Sequence, residues 1–453
     1  MSTTKLTRRT VLGGTLGVAG AALLAACGTV QTAAPAEPQE EMAPKEAAKE
    51  APAMEHTPVW AVWMGDETSQ LRWNTAMDLF GEENPEVTWR ITWEHWKRSL
   101  PPLLAAGEVP DIANTSSAPH ILVDNWLDAG PIMSAAGINQ ADYAGRLFEA
   151  VTWRGKTMGV PTGSNTTALF YRGDMFDEAG QNPPTSDMSW EETIAVSADI
   201  AGRLNAGEER ARWGISTMSY AWSYFPLLYA GMLDSDGNVV VNRDIAVHLV
   251  QLIMKDSIEK FRAAPTREDL AVTEDYYGTG VFPTGKVAMV PGGTFILKPF
   301  READPFAFST VEVPYTEVTG TRVRGAFNGH EQMSLLAGGA ENPDAQEFAI
   351  WTMGEKHQRW MGGEGWSVPA LNAAADTFAP PADDPRPADQ SAFVKAISYA
   401  TSYFAHPASS AIASAGTGPL RAFVEEGALT AEETVDLAID QMQAAVDEWE
   451  SNQ

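Results

Sequence analysis

Residue types that carry out enzymatic chemistry occur in this sequence, but not at the spacings that such chemistry needs. The seven histidines include no pair at i, i+4 and no His-Glu-x-x-His, the pattern with which one helix face binds catalytic zinc. Segment 280–287 (GVFPTGKV) has the glycines and the lysine of a phosphate-binding loop, but Val287 stands where that loop needs a hydroxyl for Mg²⁺. The sequence also has no Gly-x-Ser-x-Gly nucleophile elbow. These patterns favour binding without turnover, with no metal and no other cofactor.

The charge balance argues against a further class of partner. The 453 residues include 31 Lys and Arg against 60 Asp and Glu, a formal net charge of −29. Nucleic acid is bound by cationic side chains that neutralise phosphates, so it is not an expected ligand. Broad docking on anionic lipid headgroups is disfavoured for the same reason. With 44% hydrophobic residues, the chain can bury large cores, and its length predicts two to three domains.

The single cysteine ends an N-terminal segment that is typical of exported proteins. Residues 1–27 begin with three cationic and no acidic side chains, and the apolar stretch 11–26 is too short for a comfortable membrane span. Segment 7–12 (TRRTVL) resembles a twin-arginine export signal, with Val where that signal usually has Phe. The Leu-Ala-Ala-Cys sequence resembles a lipobox, which predicts lipidation (palmitate) at Cys27. Residues 28–56, rich in Ala, Pro and Glu, are predicted to be a disordered tether.

Strand-like and helical segments alternate from residue 59 onward. Segments 59–64, 86–93 and 109–113 resemble strands and have helical patterns between them, which predicts a parallel sheet covered by helices. In such sheets ligands bind outside the carboxyl ends of the strands. Further helices are predicted at 189–204, 243–262, 344–360 and 430–449, and further strands at 168–172, 286–291, 309–313 and 331–336. Two α/β lobes fit this length.

Seven segments, in this order along the chain, carry a family resemblance. They are 105–112 (AAGEVPDI), 155–161 (GKTMGVP), 169–180 (LFYRGDMFDEAG), 183–192 (PPTSDMSWEE), 282–289 (FPTGKVAM), 341–348 (ENPDAQEF) and 366–370 (WSVPA). Together they resemble the extracellular solute-binding lipoproteins of ABC importers, a family that includes maltodextrin-binding and other sugar-binding proteins. Met158 and Arg172 depart from the family pattern, which usually has Tyr and Asn at these positions.

The resemblance implies an α/β, two-lobed fold of the periplasmic-binding-protein type II, with a ligand cleft between lobes joined by a hinge. It implies a first lobe of residues 57–164 plus 329–366, and a second lobe of residues 165–328 plus 367–453. The chain would cross between lobes near 164–166, 327–330 and 366–369. The implied protein is a monomer, lipid-anchored outside the cell membrane through Cys27. It would capture a mono- or oligosaccharide and deliver it to the permease subunits and cytosolic ATPase of an ABC importer.

The resemblance also implies ligand contacts. Sugars are bound by flat aromatic faces and by amide or carboxylate groups that bond their hydroxyls. The family's cleft positions fall on Trp63, Asp66, Asn165, Tyr220, Trp222, Thr294, Phe295, His330 and Trp366. Asp66 could instead cap the helix that follows it. Other tryptophans are interpreted as structural: Trp89, Trp93, Trp153 and Trp190.

Two alternatives stay open at this point. A lipid-anchored glycoside hydrolase would also suit a chain rich in acids and tryptophans, provided that two carboxylates face one glycosidic bond. The same binding fold could instead take a peptide, a polyamine, a phosphodiester or iron. Iron sites of this kind use clustered Tyr and His, and Tyr276-Tyr277 is the only adjacent tyrosine pair. The acidic balance weakly disfavours anionic ligands.

Overall fold

A computed structural model describes most of the chain beyond the N-terminal segment. The described residues are 59–62, 67–115, 124–144, 146–207, 211–217, 225–234, 236–270, 280–303, 305–380, 383–384, 386–401 and 406–452. They belong to one compact unit, residues 55–453. The predicted export signal, the lipobox with Cys27 and the tether lie outside the described residues. Within the described ranges, no helix has the length and apolar character needed to cross a membrane.

The described residues contain fourteen strands. They are β1 (Val59–Val62), β2 (Arg90–His95), β3 (Ile112–Thr115), β4 (Thr152–Trp153), β5 (Lys156–Thr157), β6 (Val160–Arg172), β7 (Trp213–Ile215), β8 (Val287–Gly293), β9 (Phe308–Val311), β10 (Thr316–Val318), β11 (Thr321–Val323), β12 (Ala326–Leu335), β13 (Val368–Pro369) and β14 (Ala400–Thr401).

Sixteen α-helices lie in the same residues. They are α1 (Glu67–Gly81), α2 (Trp96–Ala105), α3 (Ala129–Ala135), α4 (Leu147–Val151), α5 (Gly173–Ala179), α6 (Trp190–Leu204), α7 (Phe225–Ala230), α8 (Arg243–Leu249), α9 (Ser257–Glu259), α10 (Arg267–Leu270), α11 (Leu297–Glu302), α12 (Pro343–Trp351), α13 (Glu355–Gly363), α14 (Ser391–Ala396), α15 (Ser409–Glu426) and α16 (Ala431–Ser451). A π-helical segment, Val250–Asp256, joins α8 to α9.

One ten-stranded sheet runs through the molecule in the order β2-β1-β3-β12-β6-β8-β7, and β9 and β13 also pair with β6 while β14 pairs with β12. β1 is parallel to β2 and β3, whereas β12 is antiparallel to β3 and β6. β6 is thirteen residues long and changes partners along its length. Its residues 160–166 pair with β12, and its residues 167–171 pair with β8. The two ends of β6 therefore belong to different parts of the sheet.

Separate hydrophobic cores form on the two parts of the sheet. β2, β1, β3 and β12 carry one core around Phe80 and Phe348 and a smaller cluster around Leu100. β7, β8 and β9 carry two others, one around Trp190 and one around Phe282. We call these parts the first lobe and the second lobe; their exact residue boundaries stay a prediction.

Most predicted elements are present, and the differences have local causes. α6 and α16 match the helices predicted at 189–204 and 430–449, and Trp190, 1% exposed, is structural as expected. The helix predicted at 243–262 contains the π-helical segment. The helix predicted at 344–360 is two helices, α12 and α13. It breaks because the carbonyl of Thr352 accepts hydrogen bonds from the Gln358 amide and contacts the His357 ring, while Gly354 has an extended conformation.

Candidate functional site

Side chains collect on one face of the sheet where β6 passes from the first lobe to the second. Alternate residues of a strand point to the same face. Gly163 and Asn165 of β6 lie opposite Glu331 and Gly329 of β12 in the pairing register. These residues therefore share a face, which we call the Asn165 face.

A continuous chain of hydrogen bonds crosses the Asn165 face. The Thr294 hydroxyl, just after β8, donates to the side-chain oxygen of Asn165. The Asn165 amide donates to Oε1 of Glu331 at 2.8 Å. Arg72, in the second turn of α1, donates to Oε1 at 3.0 Å and also bonds Oε2. The first-lobe helix is thus connected through the crossing strands to a second-lobe loop.

Glu331 is the charged centre of this chain. The residue is 9% exposed, and burial on its own raises the pKa of a carboxyl group. The nearby Arg72 guanidinium and the bond from the Asn165 amide outweigh burial, so the pKa of Glu331 lies below its ordinary value. The carboxylate therefore stays ionised and paired at neutral pH.

Two aromatic rings rest on glycines of the crossing strands. A Cβ atom added to Gly293 would lie 2.3 Å from Cε1 of Phe295, and one added to Gly329 would lie 2.6 Å from Cε1 of Phe327. Any larger residue at either position would displace the ring. The two glycines lie on different strands that both pair with β6, Gly293 on β8 and Gly329 on β12. Phe295 is 37% exposed, which is high for a large apolar side chain.

Trp366 lies beside the same cluster. Its ring centre is 5.9 Å from Cζ of Arg72 and 4.8 Å from Nζ of Lys298, one cation from each lobe. Its buried indole N–H has no hydrogen-bond partner among the described residues. A cation placed over the face of an indole ring is favourable because the ring face is electron-rich.

The structure brings together four of the nine predicted contact residues. Asn165, Thr294 and Trp366 are connected through Arg72 and Glu331, and Phe295 follows Thr294 directly in the sequence. Thr294 is only 1% exposed, so it positions Asn165 rather than presenting a free hydroxyl.

Four further predicted contacts lie outside the described residues: Trp63, Asp66, Tyr220 and Trp222. The chain enters these segments directly after the carboxyl end of β1 and two residues after that of β7. Those are the strand ends at which open α/β sheets bind ligands. These contacts stay predictions.

His330 differs from its expected setting. It is fully buried and its ring contacts Oε1 of Gln332 at 3.0 Å, on the face of β12 opposite to Glu331. Burial lowers the pKa of His330 to about 4, so the ring is neutral. A ligand contact at His330 stays a prediction, and in this structure the His330 side chain is buried away from the Asn165 face. The reason is alternation along the strand, which turns His330 away when Glu331 faces the site.

Sequence reasoning missed Arg72 and Glu331. Glu331 had a detectable signal, since an acidic residue opens the strand predicted at 331–336 and a buried strand seldom carries an unpaired charge. Arg72 had none, because it is separated from Glu331 by 259 residues. No group of three or more His, Cys, Asp or Glu side chains among the described residues could hold a metal ion.

Known proteins place the chain in a family. Residues 76–388, more than half of the chain, match the family of bacterial extracellular solute-binding proteins. The chain belongs to this family.

Individual relatives of the chain have low sequence identity to it. A Brucella abortus protein named only as a binding protein is 26% identical over 245 residues, which are 50% of this chain and 55% of that protein. A lactose-binding protein of Rhizobium radiobacter is 21% identical over 285 residues, 60% of this chain and 65% of that protein. The chain thus spans about half to two thirds of the length of these relatives.

Solved structures show the fold. An ABC substrate-binding protein of Listeria monocytogenes in complex with cycloalternan superposes with a TM-score of 0.71 at 16% identity, covering 86% of this chain and 99% of that one. The solute-binding protein described here therefore has the two-lobed α/β fold that the sequence motifs implied, and β6 and β12 lie where its lobes meet.

Proposed function

We propose that this protein is the substrate-binding component of an ABC importer and that its ligand is a mono- or oligosaccharide captured outside the membrane. The observation that carries the proposal is the exposed Phe295 ring next in sequence to Thr294, whose hydroxyl bonds Asn165 in the hydrogen-bond chain with Glu331 where the lobes join. Family membership supports the binding role. The name of the lactose-binding relative and the cycloalternan complex of a structural neighbour support the choice of carbohydrate.

The chemistry of the Asn165 face suits a neutral polyhydroxyl ligand. An aromatic ring covers the C–H face of a pyranose, and an amide both donates to and accepts from hydroxyl groups. The Arg72 charge is already neutralised by Glu331, so among the described residues this pair offers neither a free cation for an acidic ligand nor a free carboxylate for a polyamine.

The hydrolase alternative is disfavoured by the state of Glu331. A glycosidase needs a carboxylic acid with a raised pKa to protonate the leaving oxygen, together with a second carboxylate. Glu331 has a lowered pKa, and both of its oxygens are bonded to Arg72. The proposal is therefore binding and release of an intact ligand.

The N-terminal motifs complete the proposal. After export, lipidation of Cys27 would anchor the protein to the outer side of the cell membrane, and residues 28–56 would tether the two lobes. The protein would act as a monomer and deliver its sugar to the two permease subunits. Mass spectrometry of membrane-extracted protein would show a lipid-modified N-terminal cysteine, and a Cys27→Ala variant would leave the membrane fraction.

A carbohydrate screen by differential scanning fluorimetry tests the ligand class. A sugar that binds only the folded state raises the melting temperature by mass action. Titration calorimetry on the hit should then show a loss of about tenfold in affinity for Phe295→Ala, since a stacking contact contributes on the order of 1 kcal/mol.

Leu437→Ala is the matched control for this test. Leu437 is 39% exposed, close to the exposure of Phe295, but lies on α16. The Leu437→Ala variant should bind the sugar found in the screen with the affinity of the wild type. Shortened sugars in the incubation mixture would overturn the binding role, and a screen in which amino acids, peptides or polyamines but no sugar stabilise the protein would overturn the ligand class.

A further inference from the structure

The C-terminal helix of the second lobe reaches the first lobe through an aromatic cluster. Trp153, in the β4–β5 hairpin, packs in the first-lobe cluster with Leu100 and Trp126. Trp449 lies near the end of α16, and its ring centre is 5.9 Å from that of Trp153. The His406 ring, just before α15, is 4.5 Å from Trp153 and 4.9 Å from Trp449. These contacts connect the lobes away from the crossing strands.

The fit around Trp153 is tight. A Cβ atom added to Gly237 would lie 2.6 Å from both the Trp153 ring and the His406 ring. His406 is 2% exposed, and its Nδ1 accepts a hydrogen bond from the backbone N–H of Ala408 at 3.0 Å. The first-lobe indole is therefore inserted into a closely fitting recess of the second lobe.

Arg154 adds an electrostatic contact at a cost in backbone strain. Its φ of 47° is left-handed, a conformation that a non-glycine residue adopts at a cost of about 1 kcal/mol. From this turn its guanidinium lies 5.1 Å from the ring centre of Trp153 and 5.6 Å from that of Trp449, and it forms an ion pair with Glu450. The strained turn thus directs a cation onto the C-terminal helix.

This cluster lies on the face of the sheet opposite to the Asn165 face. Met333 shares the Glu331 face by alternation and packs in the core with Phe80. Ser334 points the other way, and Ala113, which lies opposite Ser334 in the pairing register, packs in the cluster of Trp153. The crossing strands therefore separate the candidate ligand site from the aromatic cluster.

We propose that Trp153, Arg154, His406 and Trp449 form a clasp that opposes closure of the lobes and thereby lowers ligand affinity. Hinge closure that brings the lobes together on the side of the Asn165 face must move them apart on the opposite side, because the crossing strands lie between the two sides. Further closure from the conformation described here would separate the two indoles and the Arg154–Glu450 pair, so part of the ligand's binding free energy would be used to open the clasp. This inference rests on the proposed binding function.

Small-angle X-ray scattering of the ligand-free protein tests the clasp without knowledge of the ligand. Trp449→Ala removes the indole contact. Arg154→Gly removes the cation and the ion pair and suits the left-handed turn, so this variant should fold. Both variants should have a smaller radius of gyration than the wild type because the closed form becomes more populated. Each should bind a carbohydrate found in the screen about fivefold more tightly or better.

Trp351→Ala is the matched control, since its ring contacts are with Phe80, Phe348 and His357 of the first lobe. It should lower stability without changing the radius of gyration. Folded clasp variants with an unchanged or larger radius would overturn the clasp. A smaller radius together with no carbohydrate binding would support the clasp and reject the sugar assignment, so the two proposals fail separately.

Discussion

Glu331 shows how a single buried charge can organise a site. Its carboxylate is bonded by Arg72 from α1 and by Asn165 from β6, and both of its oxygens are occupied. A buried ion pair contributes little net stability over an apolar pair, but removing one partner leaves an uncompensated charge. The pair therefore fixes the position of α1 against β12 more than it adds to the free energy of folding.

Arg72→Leu should lower the free energy of unfolding by about 3 kcal/mol, because Glu331 would remain buried without its cation. Urea denaturation at pH 7 measures this. Arg359→Ala, which removes exposed ion pairs with Glu355 and Asp376, should cost much less, because water screens exposed pairs. Equal losses in the two variants would show that Glu331 does not depend on Arg72.

At the scale of elements, helix starts follow local sequence and helix breaks follow tertiary contacts. α16 begins with a capping box in which Thr430 and Glu433 bond each other's backbone N–H groups, and α6 begins in the same way with Ser189 and Glu192. Both starts lie within a residue of their predicted positions. The break between α12 and α13 depends on side-chain bonds to Thr352 that no local pattern shows.

Thr430→Ala should destabilise the protein by about 1 kcal/mol, because the first turn of α16 loses its cap. Ser451→Ala, at the other end of the same helix, removes an exposed bond to the carbonyl of Glu448 and should change stability by less than about 0.5 kcal/mol. Thermal unfolding followed by circular dichroism compares the two. A larger effect of Ser451→Ala would contradict the capping argument.

At the scale of the whole molecule, buried histidines make stability depend on pH. Burial lowers the pKa of His330 and His406 to about 4 and that of His357 to about 3. The unfolded chain, with an ordinary histidine pKa near 6.5, binds protons that the folded state excludes. This stability is present above pH 6.5 and is lost as the pH falls toward 4. The Arg72 guanidinium outweighs burial and lowers the pKa of Glu331, so this carboxyl titrates at a more acidic pH than an ordinary glutamate.

The free energy of unfolding should therefore fall between pH 6.5 and 4, by up to about 1.4 kcal/mol per pH unit for each buried histidine. Denaturant titrations at half-unit steps measure the slope. His330→Gln should make the free energy of unfolding depend less steeply on pH, because one fewer proton is taken up on unfolding. This holds whatever the effect of the substitution on stability at pH 7. A slope equal to that of the wild type would show that His330 is protonated in the folded state.

The sequence alone determined the family, the fold class and most of the element order. These properties depend on short-range patterns, namely capping residues, alternation and motifs whose order along the chain is visible. It also singled out Asn165 and Trp366, which the structure connects through Glu331 and Arg72.

Only the tertiary structure decided which side chains share a face and which charges are paired. Arg72 meets Glu331 across 259 positions, and Trp449 meets Trp153 across the two lobes. His330 turns away from the site because a strand directs neighbouring residues to opposite sides, and the pairing register decides which one faces inward. Such contacts arise from packing distant segments together, so no local pattern carries them.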